Sequence, residues 1–570
     1  MRSVSPSLPW KQKSPFSPAM EAPNQELKSN SFIFTFTFTF HGGHQNPSVH
    51  HPTQTDDLIK KDKEKKRGQR MKMKASEFRP TIGKDGGSGS LIPIYMGFLL
   101  LATTTTLIAS QTIVKTLPGY PGPLPFKLET GYIGVGEDEV VQLFYYFVES
   151  EGNPDEDPLI IWLAGGPGCG TLRAFFYEIG PMQIKYGSYM DNVPALQLDP
   201  NSWTKVANVI YLDAPTLTGY SYTKTPEAIR SSDTSSAVQT AEFLRKFVKN
   251  HPRFLKNPMY VTGISYSGIV IPIITEELYK GNEEGLEPIV NIQGYIGGNP
   301  LTDKTGDINS RLEYSYRVAL ISQELYEATK NDCDGDYAEA DSNNLLCKFR
   351  IDEVNKRVGD INIQQILDPD CDPTTNLVRS GNPMISGNRK SLRANPIKLL
   401  PTLSLHKDTF CRGDYYNYVT LWANDENVMK ALNVRKGTVK EWLLCNLDMK
   451  YNYGKPSMPL YEFNVKSSVV YHEKLSKRNC RALIFSGDHD MMVPHVGTRN
   501  WINSLNLTIT ESNWDAWYSN GQDAGYKTTY SRDNYSLVFA TVKGVGHTAP
   551  EFKPEECFQM VKRWFVNKPI

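Results

Sequence analysis

MYVTGISYSGIVIPIITEEL, residues 259–278, is an extended run ending at Gly263, then a serine at 265, small residues at Ser267 and Gly268, and an apolar helical run. A serine carried on a sharp strand-to-helix turn needs this arrangement, because only small neighbours fit the turn that lifts the serine Oγ clear of the sheet. Ser267 stands where the strict G-x-S-x-G pattern has glycine.

Outward from this stretch, from Val114 on, short apolar runs alternate with helical patterns, as in a sheet with crossover helices. VVQLFYYFV, PLIIWLA, NVIYLDA, MYVTG, VNIQGYIG, ALIFSG and VFATVKG read as strands, many too continuously apolar for a sheet wet on one side. They predict a buried, mostly parallel sheet flanked by helices, an α/β architecture. Val238, Ala241, Leu244 and Val248 recur at helical spacing after Asp233, and Cys557 to Phe565 reads as a closing helix. Residues 302–440 break the rhythm with more charge, Asn, Asp and Pro, and are expected to form an inserted cap at the substrate entrance.

A serine hydroxyl is a weak nucleophile until an imidazole takes its proton and a carboxylate orients that imidazole. ALIFSGDHDMMVP supplies Asp488 and Asp490 directly after an apolar strand, and FATVKGVGHTAPEFKP supplies His547 after another. Singly, an Asp pair in a loop is a cap or turn, and a histidine after glycine is a surface residue. Together, in the order Ser, Asp, His and each at a strand's C-terminal end, they match the α/β-hydrolase order rather than the chymotrypsin or subtilisin orders. WLAGGPGCG, residues 162–170, ends a strand in a glycine-rich turn whose Gly166 amide, with the amide of Tyr266, would form an oxyanion hole. No Lys-Ser/Thr follows those glycines, so a phosphate-cradling loop is not indicated.

The 570 residues are 39% apolar with no net formal charge, enough for a large core. Residues 1–90 carry 15 Lys/Arg against 8 Asp/Glu, which leaves the remainder acidic, so a nucleic-acid face on the body is not indicated. That segment lacks helical periodicity and is expected to be disordered or absent from the mature protein, with FTFTFTF (34–40) a low-complexity tract. LIPIYMGFLLLATTTTLIAS, residues 91–110, has no charged residue and the length of a signal-peptide core. Either translation begins downstream, at Met71, Met73 or Met96, or the segment is an uncleaved membrane anchor behind the basic run 60–74. Its four threonines favour the signal. Sequons at Asn506 and Asn534 fit passage through the secretory pathway, toward a vacuolar or extracellular location.

Between residues 115 and 568 a series of blocks resembles the plant serine carboxypeptidase-like family, nearest its glucose-ester-dependent acyltransferase branch. They include LPGYPGPLPFKLETGYIGV, PLIIWLAGGPGCG, FFYEIGP, SWTKVANVIYLDAP, ISYSGIVIP, GYIGGNPLTD, FSGDHDMMVP and GVGHTAPEFKPEECF. The resemblance implies an α/β-hydrolase fold over 111–570 with the inserted cap. It also implies Ser265 as nucleophile, His547 as base, Asp490 as its orienting acid, and oxyanion donors at Gly166 and Tyr266. It further implies disulfides Cys169–Cys445, Cys333–Cys347 and Cys371–Cys411, leaving Cys480 and Cys557 unpaired, and substrate contacts at Ala164, Gly165, Glu178 and Ile264.

Family peptidases hold a substrate's terminal carboxylate with Asn at position 164, Glu at 178 and an acidic residue at 264; here Ala164 and Ile264 replace two of the three. Two lost hydrogen bonds to a charged group, at about 1.5–3 kcal/mol each, disfavour exopeptidase action. Leu217 in DAPTLTGYSY replaces an expected glycine and would reshape the acyl pocket. The expected activity is cofactor-free and metal-free acyl transfer from an activated ester, such as a 1-O-acyl-glucose, to an alcohol or amine. The alternatives are a serine carboxypeptidase and an inactive binding protein of the same fold.

Overall fold

Eight residues in a row, Val141–Val148, are buried because both faces of their strand are covered: Val141, Leu143, Tyr145 and Phe147 enter one apolar cluster, Phe144, Tyr146 and Val148 the other. Such two-sided burial is what a continuous apolar run encodes. The structure, a computed structural model, describes residues 111–370, 412–449, 460–511 and 513–570. The expectations for residues 1–90, for the signal or anchor at 91–110 and for the Cys371–Cys411 pair lie outside these residues.

The main strands are β1 (Leu128–Val135), β2 (Val141–Val148), β3 (Leu159–Leu163), β4 (Asn208–Leu212), β5 (Met259–Ile264), β6 (Ile292–Gly298), β7 (Arg481–Gly487), β8 (Gln522–Arg532) and β9 (Tyr535–Val542). They lie in the order β1-β2-β4-β3-β5-β6-β7-β9-β8. From β4 to β9 every neighbouring pair is parallel, while β1–β2, β2–β4 and β9–β8 are antiparallel. This is the α/β-hydrolase sheet. Every strand read from the sequence is present.

Helices α1 (Asp233–Asn250) and α2 (Ser267–Glu283) pack on one face of the sheet through Ala237, Leu244, Ile271 and Ile274. The expected stripe of α1 holds at Ala241, Leu244 and Val248 but not at Val238, whose inward place is taken by Ala237. Ala237, Ala241, Leu244 and Val248 are buried, whereas Val238 is 51% exposed. Its Cβ lies about 100° further round the helix than that of Ala237, so its bulk alone misleads.

Between β6 and β7 the chain leaves the sheet for α3 (Lys304–Arg317), α4 (Gln323–Asp332), α5 (Leu345–Val358) and α6 (Gly413–Ala423). Leu312, Tyr314, Val354 and Val358 of this excursion share an apolar cluster with Met491 and Val496, just past β7. A second excursion, between β3 and β4, was not anticipated: the hairpin Met182–Met190/Val193–Leu198 pairs only with itself. Its turn residues Asp191 and Asn192 both have positive φ, the conformation a two-residue turn of this hand demands and Asp and Asn tolerate. On the sheet face opposite α1 and α2, α7 (Ala549–Phe552) is followed by α8 (Pro554–Phe565), whose Phe558, Val561 and Trp564 enter the core.

Cys169–Cys445 and Cys333–Cys347 are disulfides, and Cys480 and Cys557 are buried thiols. The first bond closes 276 residues of sequence separation and reinforces the pairing of Gly170 N–H with the Leu444 carbonyl and Asn446 N–H with the Gly168 carbonyl. Replacing both cysteines by serine is expected to lower unfolding stability by about 3–5 kcal/mol through the freed unfolded chain. The urea midpoint of the double variant measures this; an unchanged midpoint would show that the loop is held by its hydrogen bonds alone.

Candidate active site

The turn after β5 is built on close backbone approaches. A Cβ at Gly263 would lie 2.5 Å from the Leu163 carbonyl oxygen, and one at Gly268 would lie 2.5 Å from that of Leu301. Both positions therefore exclude larger residues. Ser267 is tolerated where a glycine was expected because its hydroxyl donates to the Leu163 carbonyl at 3.0 Å. Ser265 sits at φ 62°, a left-handed conformation that costs a non-glycine residue about 1–2 kcal/mol. The turn is clamped by Ser265 N–H to the Gly298 carbonyl, and by Gly268 and Leu301 N–H to the Ser265 carbonyl.

The three predicted residues meet at the C-terminal edge of the sheet. His547 Nε2 lies 2.7 Å from Ser265 Oγ, and His547 Nδ1 lies 2.8 Å from Asp490 Oδ2. Asp490 is fully buried, and its other oxygen accepts the backbone N–H groups of Met492 and Val493 at 2.8 and 3.1 Å. Two further contributors escaped the sequence reading. Asn299, directly after β6, donates its Nδ2 to Asp490 Oδ2 at 2.8 Å. The Gln364 carbonyl accepts the backbone N–H of His547 at 2.6 Å, and a Cβ at Gly546 would lie 1.9 Å from that same oxygen, so the glycine before the histidine is sterically required.

The glycine-rich loop packs directly against this turn. A Cβ at Gly165 (φ 79°) would stand 2.6 Å from the Ile264 carbonyl oxygen and 3.1 Å from both Ser265 Cβ and Tyr266 N. Gly166, at φ 105°, follows it. The far end of the loop is anchored by Thr171, whose N–H and hydroxyl both donate to buried Asp213 Oδ1 at 2.8 and 2.7 Å. Tyr266 is fixed from outside by its hydroxyl donating to Asp233 Oδ1 at 2.6 Å.

Beside His547 lies a buried polar cluster. Trp162 Nε1 donates to Glu178 Oε2 at 3.0 Å, and Arg173 Nε faces Glu178 Oε1 at 3.5 Å. Burial pushes the Glu178 carboxyl up to about 7, against the pull of the Arg173 guanidinium. In the folded protein Glu178 thus keeps its proton between its unfolded value near 4.5 and about 7, where the unfolded chain has released it. Its contribution to stability is present below that window and lost as pH rises through it. Glu178→Gln is expected to remove about 3 kcal/mol of the stability loss between pH 4.5 and 7.5. Denaturant midpoints across that range measure it; an unaltered slope would mean Glu178 is ionised throughout.

The serine carboxypeptidase family model (Peptidase S10) matches residues 118–567. The chain belongs to the serine carboxypeptidase family. Serine carboxypeptidase-like 7 of Arabidopsis thaliana is 43% identical over 84% of this chain and 99% of its own. Serine carboxypeptidase-like 13 of the same plant is 43% identical over 83% of this chain and 99% of its own. The crystal structure of the prohormone-processing carboxypeptidase Kex1 from Saccharomyces cerevisiae superposes with a TM-score of 0.59 at 17% identity, covering 80% of this chain and 95% of that one. It shares the fold. The protein is thus a serine carboxypeptidase-like enzyme, of a family whose substrates are small molecules or peptides.

Within this serine carboxypeptidase-like fold, the three carboxylate-contact positions have separate fates. Glu178 is occupied by Trp162 and Arg173; Ala164 offers no hydrogen-bonding group; Ile264 is buried in the apolar core. Leu217 adopts φ 66°, the conformation a glycine there would take without strain. It lines an open cleft with Thr438, Val439, Leu443 and Asn446, and Asn446 Nδ2 donates to its carbonyl at 3.0 Å. Both sequon asparagines, Asn506 and Asn534, are exposed, the latter in the β8–β9 turn.

Proposed function

We propose that this enzyme transfers an acyl group from an activated ester, a 1-O-acyl-glucose in the first instance, to an alcohol or amine acceptor through an acyl-enzyme on Ser265. The observation that carries the reading is the relay from Asp490 through His547 to Ser265, with hydrogen bonds of 2.8 and 2.7 Å at the mouth of a strained turn. His547 Nε2 accepts the Ser265 proton as Oγ attacks the ester carbonyl. The oxyanion is received by the amides of Gly166 and Tyr266, from a loop and a turn packed within van der Waals reach. The same imidazole returns the proton to the departing sugar oxygen, then takes one from the acceptor, whose oxygen or nitrogen displaces Ser265.

Transfer is favoured over exopeptidase action because two of the three groups that would hold a peptide's terminal carboxylate are replaced by Ala164 and Ile264. The exposed sequons and the Cys169–Cys445 and Cys333–Cys347 disulfides support passage through the secretory pathway. The test is incubation of the purified protein with a panel of acyl-glucoses, acceptors and blocked dipeptides, with products read by mass spectrometry. Acylated acceptors are the expected result. Release of C-terminal residues without transfer would establish the peptidase reading, and inertness of folded protein toward both esters and a fluorophosphonate probe would establish a binding protein.

A further inference from the structure

The relay from Asp490 to Ser265 makes no use of another carboxylate at the C-terminal edge of the sheet. Asp213 directly follows β4 and is fully buried. Its Oδ1 accepts the N–H and the hydroxyl of Thr171 at 2.8 and 2.7 Å, and its Oδ2 accepts the N–H of Tyr220 at 3.0 Å. None of these partners carries a charge. Burial pushes the carboxyl up to about 6, against the pull of the three hydrogen bonds. The chain is shaped around the group: a Cβ at Gly219, where φ is 53°, would lie 2.1 Å from Oδ2, so only glycine lets the Tyr220 amide reach it. A carboxylate taken out of water costs stability, and its worth lies in what its hydrogen bonds hold.

Those bonds close a ring around the glycine-rich loop. Thr171 ends that loop, and Tyr220 lies in the loop that follows β4. A second tie joins the same two loops: Asn446 donates its N–H to the Gly168 carbonyl at 2.8 Å and its Nδ2 to the Leu217 carbonyl at 3.0 Å, beside the Cys169–Cys445 disulfide. Behind the turn, Ala214 and Pro215 line one small cavity with Gly165, Pro167 and Tyr266. Only residues 164–170 separate β3 from Thr171, and Cys169 N–H bonds the Gly165 carbonyl within them at 3.3 Å. So short a stretch, tied at both ends, has little slack, and a shift at Thr171 reaches Gly166. Misplacing a catalytic group by about 1 Å costs as much as a hundredfold in rate.

Building on the acyl-enzyme reading above, we infer that Asp213 is a positioning residue: by serving Thr171 and Tyr220 at once, its carboxylate holds the Gly166 amide where the oxyanion forms. It acts through the loop, on the state in which the carbonyl oxygen is charged, so its loss costs stabilisation of that state rather than binding of the uncharged ligand. An asparagine at 213 has the same shape but accepts at one end only. With its oxygen toward Thr171, its Nδ2 faces the Tyr220 N–H; with its oxygen toward Tyr220, its Nδ2 faces the Thr171 N–H. Either way two donors oppose each other in a sealed site, and the ring opens on one side.

The test compares 1,1,1-trifluoro-4-phenylbutan-2-one with 4-phenylbutan-2-one as inhibitors of 4-nitrophenyl acetate hydrolysis by the full-length protein. Ser265 Oγ adds to the carbonyl carbon of the fluorinated ketone, its proton passes to His547 Nε2 and the carbonyl oxygen becomes the anion; the parent ketone binds without addition. Wild type is expected to prefer the fluorinated ketone by about 100-fold or more. In Asp213→Asn and in Thr171→Val that preference is expected to fall about tenfold, with kcat/KM for the ester falling alongside it, whereas Thr171→Ser keeps the hydroxyl and the wild-type preference. A preference within about threefold of wild type in either Asp213→Asn or Thr171→Val would overturn the inference and leave the acyl-enzyme standing. So would both ketones weakening alike, as a purely structural role requires, or Thr171→Ser losing as much as Thr171→Val. Wild-type protein that binds the two ketones alike, or gives no nitrophenolate burst, would overturn the Ser265 reading on which the inference rests. Should Asp213→Asn not fold, the contrast between Thr171→Val and Thr171→Ser decides alone.

Discussion

Ser265→Ala is expected to abolish fluorophosphonate labelling and to lower acyl transfer by about 10⁴–10⁶-fold, because Ser265 Oγ is the hydroxyl that His547 Nε2 bonds among the described residues. The same position gives an opposite result for stability. Its φ of 62° is adopted by alanine only with strain and by glycine without it. Ser265→Gly is therefore expected to be more stable than Ser265→Ala by about 1 kcal/mol, and equally inactive. Urea midpoints of the two variants, read with intact-mass measurement after labelling, test both halves together. Residual labelling of the alanine variant would place the nucleophile elsewhere, and equal midpoints would mean that the turn relaxes around alanine.

What the sequence discloses about this site follows from which interactions are local. The strand-to-helix turn is local: Gly263, Ser265, Ser267 and Gly268 are spaced by the steric demands of neighbouring backbones, so their pattern is legible. The sheet is legible for a related reason, since two-sided burial leaves no polar alternation in β2, β4 or β5. Asp490 and His547 are legible because each follows a strand whose end the apolar run marks.

Asn299, Gln364 and Arg173 were not legible in the same way. Their roles arise from contacts that span 183 to 378 residues of sequence, as in Asn299 to Asp490, Gln364 to His547 and Arg173 to Glu551. Two signals were nevertheless present. Asn299 stands at the C-terminal end of β6, the edge where such sheets gather their functional groups. Arg173 is a charge set between Leu172 and the apolar run Ala174–Phe176, and a buried charge obliges the fold to supply partners. One member of the α1 stripe was misjudged because Val238 is more apolar than Ala237, yet shape and phase, not hydrophobicity alone, decide which of two adjacent residues enters a core.

Asp490→Asn is expected to reduce acyl transfer by about 10³–10⁴-fold while leaving Ser265 in place, and the reason lies in the donors around the carboxylate. Oδ2 accepts from His547 Nδ1 and Asn299 Nδ2, and Oδ1 accepts from the amides of Met492 and Val493. All four partners are donors, and an asparagine amide can accept at only one of its two ends. If the Nδ2 end turns toward Met492 and Val493, two backbone donors in a fully buried site lose their acceptor, at about 1–3 kcal/mol for each group left unpaired. If it turns toward His547, the imidazole is driven to the tautomer that carries its proton on Nε2, facing Ser265, and can no longer accept the serine proton. Either orientation is costly, by different routes, and Asn299 offers a way to tell them apart. Asn299→Asp in the Asp490→Asn background restores an acceptor for the misplaced amide, and is expected to recover stability without recovering transfer. Recovery of transfer in that double variant would mean that a carboxylate at 299 can orient the imidazole in place of Asp490, and a transfer rate in Asp490→Asn alone within about tenfold of wild type would mean that the imidazole is oriented without the carboxylate.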